Sequence, residues 1–296
     1  MSATSPRSLE DAAADVAGPS AVVATRLSES LADPARGRLA DFAQWLASCQ
    51  RTALPAVPSR VRLVLIGTGT RDAAVATKAD ALDVAVRYTV ADSDSDSAIA
   101  SGIAMADAEA DAGTDLLILA LPTPEPGDAE VSTLAVVCAF AGVEPAKVLA
   151  RGAAATDPDR WMARLVAVRD KRLELVGHLH DPPRLLAAAD NGALSFATGL
   201  LLQSAARRTP VVLDGVGALT AALAASAAEP AAPGWWIRSD TTHEPVGELI
   251  AALLRIPAVL GLDAARGDGT SGLLSVPILR ESVTVPQTET YERGSQ

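Results

Sequence analysis

Residues 97–121 read SAIASGIAMADAEADAGTDLLILAL, and this stretch decides the fold. From Ser97 to Ala112 the run is rich in alanine with apolar residues at helical spacing, which predicts a helix capped by Ser97. Asp115–Leu121 (DLLILAL) is then apolar almost throughout, as a parallel strand covered on both faces should be. Upstream, Val61–Ile66 (VRLVLI) reads as a strand, Arg71–Leu82 as a helix and Val84–Val90 as a second strand. Downstream, helices are predicted at Glu130–Ala141, Asp157–Leu175 and Ala193–Arg207. A buried strand at Pro210–Leu213, a helix at Val216–Ala228, a strand at Trp235–Arg238 and helices at Glu244–Leu254 and Gly272–Val283 follow. Strands alternating with helices imply βαβ units and an α/β fold: a doubly wound, mainly parallel, Rossmann-like sheet.

Arg38–Cys49 (RLADFAQWLASC) places Leu39, Phe42, Trp45 and Leu46 at helical spacing. This helix is expected to pack with the last one as a small helical subdomain, built from 31–55 and 270–285 of a single α/β domain spanning 31–285. Its apolar surface exceeds what a lone helix needs to hide, which predicts a dimer. The Ser/Ala/Pro/Asp-rich residues 1–30 are expected to be disordered, and 286–296 to be a loose tail. With 49% apolar but only 3% aromatic residues, the core must be built from Ala, Val and Leu. A net charge of -11 argues against nucleic acid, since phosphate binding needs a clustered basic face. Cys49 and Cys138 are isolated thiols with no paired spacing, so a reducing compartment is expected. Met1–Glu10 has no apolar stretch and no long apolar run lacks charges, which predicts a soluble, cytoplasmic chain with neither leader nor membrane span.

In such a sheet, ligands sit beyond the carboxyl ends of the strands. Gly67–Thr70 after the first strand is a possible phosphate turn, but it lacks the third glycine of a dinucleotide fingerprint and the Lys of a P-loop. After the third strand, Pro122–Glu130 is stiffened by three prolines and reads as a solvated acidic loop with Glu125, Asp128 and Glu130. His178 and His180 resemble a metal pair beside Asp181, yet a metal needs three or four ligands, so an exposed or structural role is expected. Three later loops stand out: Asp214-Gly215 ending a strand, Ser239 to Glu244 ending the next, and Arg266-Gly-Asp268-Gly-Thr270 before the last helix. Together they offer an anion cradle and one acid or base; singly, each could be turn and cap chemistry.

The ordered series of these segments resembles the nicotinate-nucleotide:dimethylbenzimidazole phosphoribosyltransferases. RRTPVVLDGVGALTAALAAS (207–226) is similar to that family's Arg-rich helix end, Pro-Val-Val-Leu-Asp-Gly strand and Ala-rich helix. SDTTHEPVGELIAALLRIPAVLGLDAARGDGTSGLLSVPIL (239–279) resembles its Ser-His-x-Ser-x-Glu-x-Gly stretch and its Leu-Gly-Glu-Gly-Thr-Gly-Ala loop. The likeness runs with gaps from about residue 36 to residue 283.

The resemblance implies transfer of ribosyl phosphate from nicotinate mononucleotide to 5,6-dimethylbenzimidazole or a related base, giving α-ribazole phosphate, with no metal or cofactor. It implies Asp268 as general base, in the place of the family's glutamate. Arg164, Gly215, Ser239, Glu244, Gly267, Gly269 and Thr270 are implied to bind substrate and phosphate, and a homodimer is implied. Against the pattern, LPTPEPGDAEVST stands where the family carries Gly-Glu-Met-Gly-Ile-Gly-Asn-Thr-Thr, and Asp190-Asn191-Gly192-Ala193 replaces Gly-Gly-x-Glu. The alternative is therefore a catalytically degenerate paralogue that binds a ligand or pairs with an active subunit as a heterodimer.

Overall fold

The computed structural model describes residues 7–30, 37–67, 72–122, 124–149 and 157–294. Residues 1–6 and 295–296, and the predicted turn beyond Gly67, lie outside the described residues. β1 (Val61–Ile66), β2 (Val84–Thr89), β3 (Leu116–Ala120), β4 (Val211–Asp214) and β5 (Trp236–Arg238) form one sheet in the order β2-β1-β3-β4-β5. Every pairing is parallel, with Val61 opposite both Val84 and Leu116, Leu117 opposite Val211 and Val211 opposite Trp236. The fold is thus a doubly wound α/β sheet, as the alternation predicted.

Successive strand residues alternate between two cores. Val64, Ile66, Leu117, Leu119, Val211, Leu213 and Trp236 face one core. Leu63, Ile118, Val212 and Ile237 face the other. Both sides are covered, which is why DLLILAL reads as continuously apolar.

The first core is closed by α5 (Ser95–Asp111), α6 (Asp128–Ala141), α9 (Gly192–Ala206) and α10 (Val216–Ala228). α5 starts earlier than expected: the Asp94 carboxylate, not Ser97, caps it, accepting the Ser97 N–H at 2.9 Å. The run Ser93–Ser97 alternates acids and hydroxyls, so several caps competed, and Asp94 has the extended backbone a cap requires. α5 and α9 approach closely because Gly102 and Gly199 face each other's backbone; a Cβ on Gly199 would lie 2.5 Å from the Ile99 carbonyl. The Asp190–Gly192 segment joins α8 (Pro182–Ala189) to α9: Asp190 ends α8 in the left-handed region and Asn191 caps α9. Asn191 Nδ2 also donates to Thr133 Oγ1 on α6 at 3.3 Å.

The second core is closed by α3 (Arg38–Gln50), α4 (Ala73–Ala81) and α12 (Thr270–Gly294). Phe42 and Leu46 of α3 meet this core together with Leu273, Val276, Leu279 and Val283 of α12, while Ala43 and Ala47 pack on Leu27 of α2 (Ala21–Ser30). Trp45 is partly buried and donates its Nε1–H to the Gly234 carbonyl at 3.1 Å. The apolar face of α3 is therefore covered by its own chain, and the surplus inferred from sequence does not exist.

Two corrections concern the ends. Within the segment expected to be disordered, α1 (Leu9–Ala14) carries a reciprocal capping box between Ser8 and Asp11 and buries Leu9, Ala12 and Ala13. Small alanines filling a close-packed site give little hydrophobic signal, but Ser8-x-x-Asp11 is a legible start. α12 runs on past Val283 to Gly294 as one helix where a loose tail was expected. Among the described residues no helix is long and apolar enough to cross a membrane.

Candidate functional site

The strand order reverses between β1 and β3, which marks the carboxyl edge there as the crevice of this architecture. The segment between β5 and α12 folds back over the ends of β3 and β4. Glycine makes that approach possible. Gly215, with φ +93°, would place a Cβ 2.5 Å from the Gly267 Cα and from the Leu121 carbonyl oxygen. Gly267, with φ +77°, sits against the Pro122 backbone, and Gly269, with φ +87°, against Leu63. The three glycines singled out by sequence thus bring strand-end segments into contact with one another.

Beneath this loop lies a buried polar chain. Asp214 closes β4 and is fully buried. Its Oδ1 accepts the Ser271 hydroxyl at 2.7 Å and the Gly267 N–H at 3.2 Å, and its Oδ2 accepts the Gly272 N–H at 3.1 Å. Burial pushes the carboxyl above its ordinary range against the pull of these donors, and nearby Asp268 adds to the rise. The Ser239 and Ser271 hydroxyls are 2.9 Å apart. Ser239 is fully buried; its N–H donates to the Leu213 carbonyl at 2.8 Å, and its carbonyl accepts the Leu260 N–H at 2.9 Å. Its polar groups are satisfied inside the protein, so its side chain does not face the crevice.

Asp240 pins the other end of the loop. It is buried, and it accepts the Leu262 N–H at 2.7 Å and the Ala264 N–H at 3.0 Å. On the same edge, Arg238 donates to Glu248 at 2.6 Å, and Glu248 accepts the Thr242 N–H at 3.0 Å. The Arg238 guanidinium holds the Glu248 carboxyl below its ordinary range, desolvation opposing it. This clamp ties the loop after β5 to α11 (Pro245–Leu254). Glu244 is the half-buried residue just before α11, its N–H on Thr242 Oγ1 at 3.1 Å.

Asp268 lies on the strapped loop and is half-buried. Its Oδ1 accepts the N–H of Thr270, the first residue of α12, at 2.8 Å. Among the described residues its Oδ2 accepts no hydrogen bond. The structure thus gathers Asp268, Gly215, Gly267, Gly269, Thr270 and the buried Ser239 around one edge. Arg164, on α7 (Pro158–Leu175), is bound elsewhere: it makes a two-pronged ion pair with Glu130 in the first turn of α6. Glu130 is buried, so the loop read as solvated and acidic is solvated only in part; Glu125 and Asp128 are exposed.

Asp214 and Asp240 stand in loops that the sequence singles out, but neither they nor Ser271 is given a role by sequence reasoning. The available signal was an acid within two residues of a strand end in two successive loops. His178 is half-buried and His180 exposed between α7 and α8, and among the described residues no His, Cys, Asp and Glu group could hold a metal. His180 instead borders a cleft of about 580 Å³ with Leu9, Asp181, Pro182 and Glu229, at the C-terminal end of α10 and so away from the strand ends. Burial pushes the Cys49 thiol up to about 12 and the Cys138 thiol up to about 11, which leaves both inert.

A phosphoribosyltransferase family model matches residues 83–293. The nicotinate-nucleotide–dimethylbenzimidazole phosphoribosyltransferase of Streptomyces avermitilis is 33% identical over 150 residues, 51% of this chain and 40% of that protein. Its counterpart from Mycobacterium ulcerans is 33% identical over 148 residues, 50% of this chain and 41% of that protein. The matches thus span less than half the length of these curated relatives. The crystal structure of the same-named protein from Thermus thermophilus superposes with a TM-score of 0.73 at 18% identity, covering 90% of this chain and 96% of the other.

Proposed function

Because this chain belongs to the nicotinate-nucleotide:dimethylbenzimidazole phosphoribosyltransferase family, we propose that it moves ribosyl phosphate from nicotinate mononucleotide to 5,6-dimethylbenzimidazole or a related azole. One azole nitrogen attacks C1′ as the bond from C1′ to the nicotinate nitrogen breaks. The proton on the other azole nitrogen passes to Asp268, and α-ribazole phosphate and nicotinate leave. One observation carries this reading: Asp268 is a half-buried carboxylate at the carboxyl edge of the sheet, with Oδ2 accepting no hydrogen bond among the described residues. A base needs that free lone pair in a fixed place. The three glycines let the loops meet beside this carboxylate.

Arg164 can serve the phosphate only by leaving Glu130. Glu130→Gln should therefore tighten binding of nicotinate mononucleotide, measured by calorimetry. We place the protein in the cytoplasm as a homodimer, or as a heterodimer with an active paralogue if catalysis is lost. One apolar surface that could serve pairing is on α7 and just beyond it, where Met162, Leu173 and Val176 are exposed by 53%, 68% and 46%. A monomer by light scattering across micromolar concentrations would remove the dimer.

The deciding experiment is incubation with nicotinate mononucleotide and a panel of azoles and phenols, read by mass spectrometry. The expected product is an azole or phenol ribosyl phosphate, released with one nicotinate. Asp268→Glu restores the methylene by which this base is short, and should raise the rate. The degenerate-paralogue reading is favoured by two contacts: Glu130 holds Arg164 in an ion pair, and Thr270 takes one oxygen of Asp268. No product from any variant, with no heat of nicotinate mononucleotide binding, would establish it.

A further inference from the structure

We propose that Asp214 is a positioning residue for the loop that bears Asp268, acting through Gly267, Ser271 and Gly272. This rests on the transferase reading above and assigns within it a part to a residue that touches no substrate.

The loop's conformation is set by few contacts, and Asp214 makes most of those that flank Asp268. Gly267 precedes the base and Gly272 follows it by four residues, and the N–H of each ends on a different oxygen of the same carboxylate, at 3.2 and 3.1 Å. Ser271 adds a third donor at 2.7 Å. Among the described residues no cation touches this carboxylate, so nothing there neutralises a charge; what the group supplies is acceptor geometry. Its backbone is fixed in turn, since Asp214 sits in the β4 ladder opposite Ala120. The base is therefore referenced to the sheet through one rigid side chain.

Hydroxyl arithmetic extends the chain one step. Each serine has a single proton. With Ser271 donating to Asp214, the 2.9 Å contact between Ser271 and Ser239 requires Ser239 to be the donor. Ser239 then has no proton to give a phosphate, which agrees with its complete burial. Its part is to hold Ser271 in the rotamer that reaches Asp214, the outermost link of the same support.

A graded series tests this. Asp214→Asn keeps the shape but turns an amide toward at least one of the N–H donors. Ser271→Ala removes one donor and leaves the carboxylate, and Ser239→Ala removes only the outer link. Transferase assays with nicotinate mononucleotide and dimethylbenzimidazole should show kcat falling in the order Asp214→Asn, Ser271→Ala, Ser239→Ala. The first should reach about 100-fold, the effect of a misplacement near 1 Å, while KM for nicotinate mononucleotide changes little. Hydrogen exchange at the Gly267 and Gly272 amides should quicken roughly tenfold or more in Asp214→Asn, as loss of a charge-assisted bond implies. If those amides exchange as in the parent, or if they quicken while kcat stands unchanged, Asp214 does not position the base. Should Asp214→Asn fail to fold, Ser271→Ala carries the same test with both readouts. A parent protein without turnover overturns the transferase reading and the catalytic half of this one together. Parent activity with the graded series flat overturns only the latter.

Discussion

Two carboxylates are buried at opposite edges of the sheet, and they are stabilised in opposite ways. Glu109, near the C-terminal end of α5, accepts from Arg62 at 2.8 Å, Arg87 at 2.7 Å and Thr114 at 3.1 Å. Its charge meets two guanidinium groups that join β1 and β2 to the helix covering them. Asp214, at the carboxyl edge, meets among the described residues only two N–H groups and a hydroxyl. The first arrangement balances charge and tolerates small shifts, because Coulomb attraction falls slowly with distance. The second leaves charge unbalanced and demands closely fitted donors, a costly use of a buried acid. Proteins give up local stability where a site requires geometry, so the edge that carries Asp268 is where that loss is expected.

The largest effect should come from the balanced edge. Glu109→Ala leaves two arginines without their shared anion, and breaking a buried pair typically costs about 3 to 5 kcal/mol. Arg62 and Arg87 keep 25% and 47% of their side chains exposed, which places the cost near the lower figure. Urea titration would show it as a fall in midpoint at constant slope. A loss under about 1 kcal/mol would mean that the pair behaves as a surface pair, and the contrast between the edges would collapse.

Next in size is backbone closeness at the other edge. Gly215→Ala must accept φ +93° and push against Gly267 and Leu121, so about 2 to 3 kcal/mol is expected from strain and overpacking. Gly142, which ends α6 at φ +63° with nothing within 4 Å of an added Cβ, is the control, and its alanine variant should lose only about 1 kcal/mol. Equal losses would show that the loops over β4 are not tightly packed.

A smaller effect isolates Asp214 by pH. The Asp214 carboxyl lies above its ordinary 3.8 in the folded protein because burial disfavours the charge. A raised acid binds its proton more tightly folded than unfolded, so its contribution is full below about pH 4 and fades as pH rises through the folded value. The stability of the parent relative to Asp214→Asn should therefore decline from pH 4 upward. A difference that grows with pH would mean that the three donors outweigh burial.

How far this edge is legible from sequence follows from the same physics. Apolar runs such as Val61–Ile66 and Leu116–Ala120 declare themselves, since burial on both faces excludes polar residues. Gly215, Gly267 and Gly269 are visible as types, but their partners are not: contact between segments fifty residues apart leaves no local pattern. Ser239 reads as facing phosphate because it ends a strand, whereas in the fold its hydroxyl turns inward to Ser271. Arg164 matches by position, but its ion pair with Glu130 depends on how α6 and α7 pack. Phe42 and Trp45 read from sequence as needing a second chain because nothing local places α12 and the segment at Gly234 beside them.

The smallest change in stability carries the sharpest distinction at the unbalanced edge. Asp268 has two possible occupations, a cap for α12 through Oδ1 and a base through Oδ2. Asp268→Asn keeps an oxygen for the Thr270 N–H, so its stability should stay within about 0.5 kcal/mol of the parent. Asp268→Ala loses the acceptor and should cost about 1 kcal/mol, the usual worth of a helix cap. If capping were the residue's whole role, Asn would be neutral in every assay. If Asp268 is also the base, Asn and Ala should fall alike in transferase activity, by roughly 100- to 10,000-fold, although only Ala melts earlier. Thermal melts beside single-turnover product yields would read both at once. An Asn variant that turns over like the parent would leave Asp268 as a cap alone, and the Asp214 strap beneath it as plain loop structure.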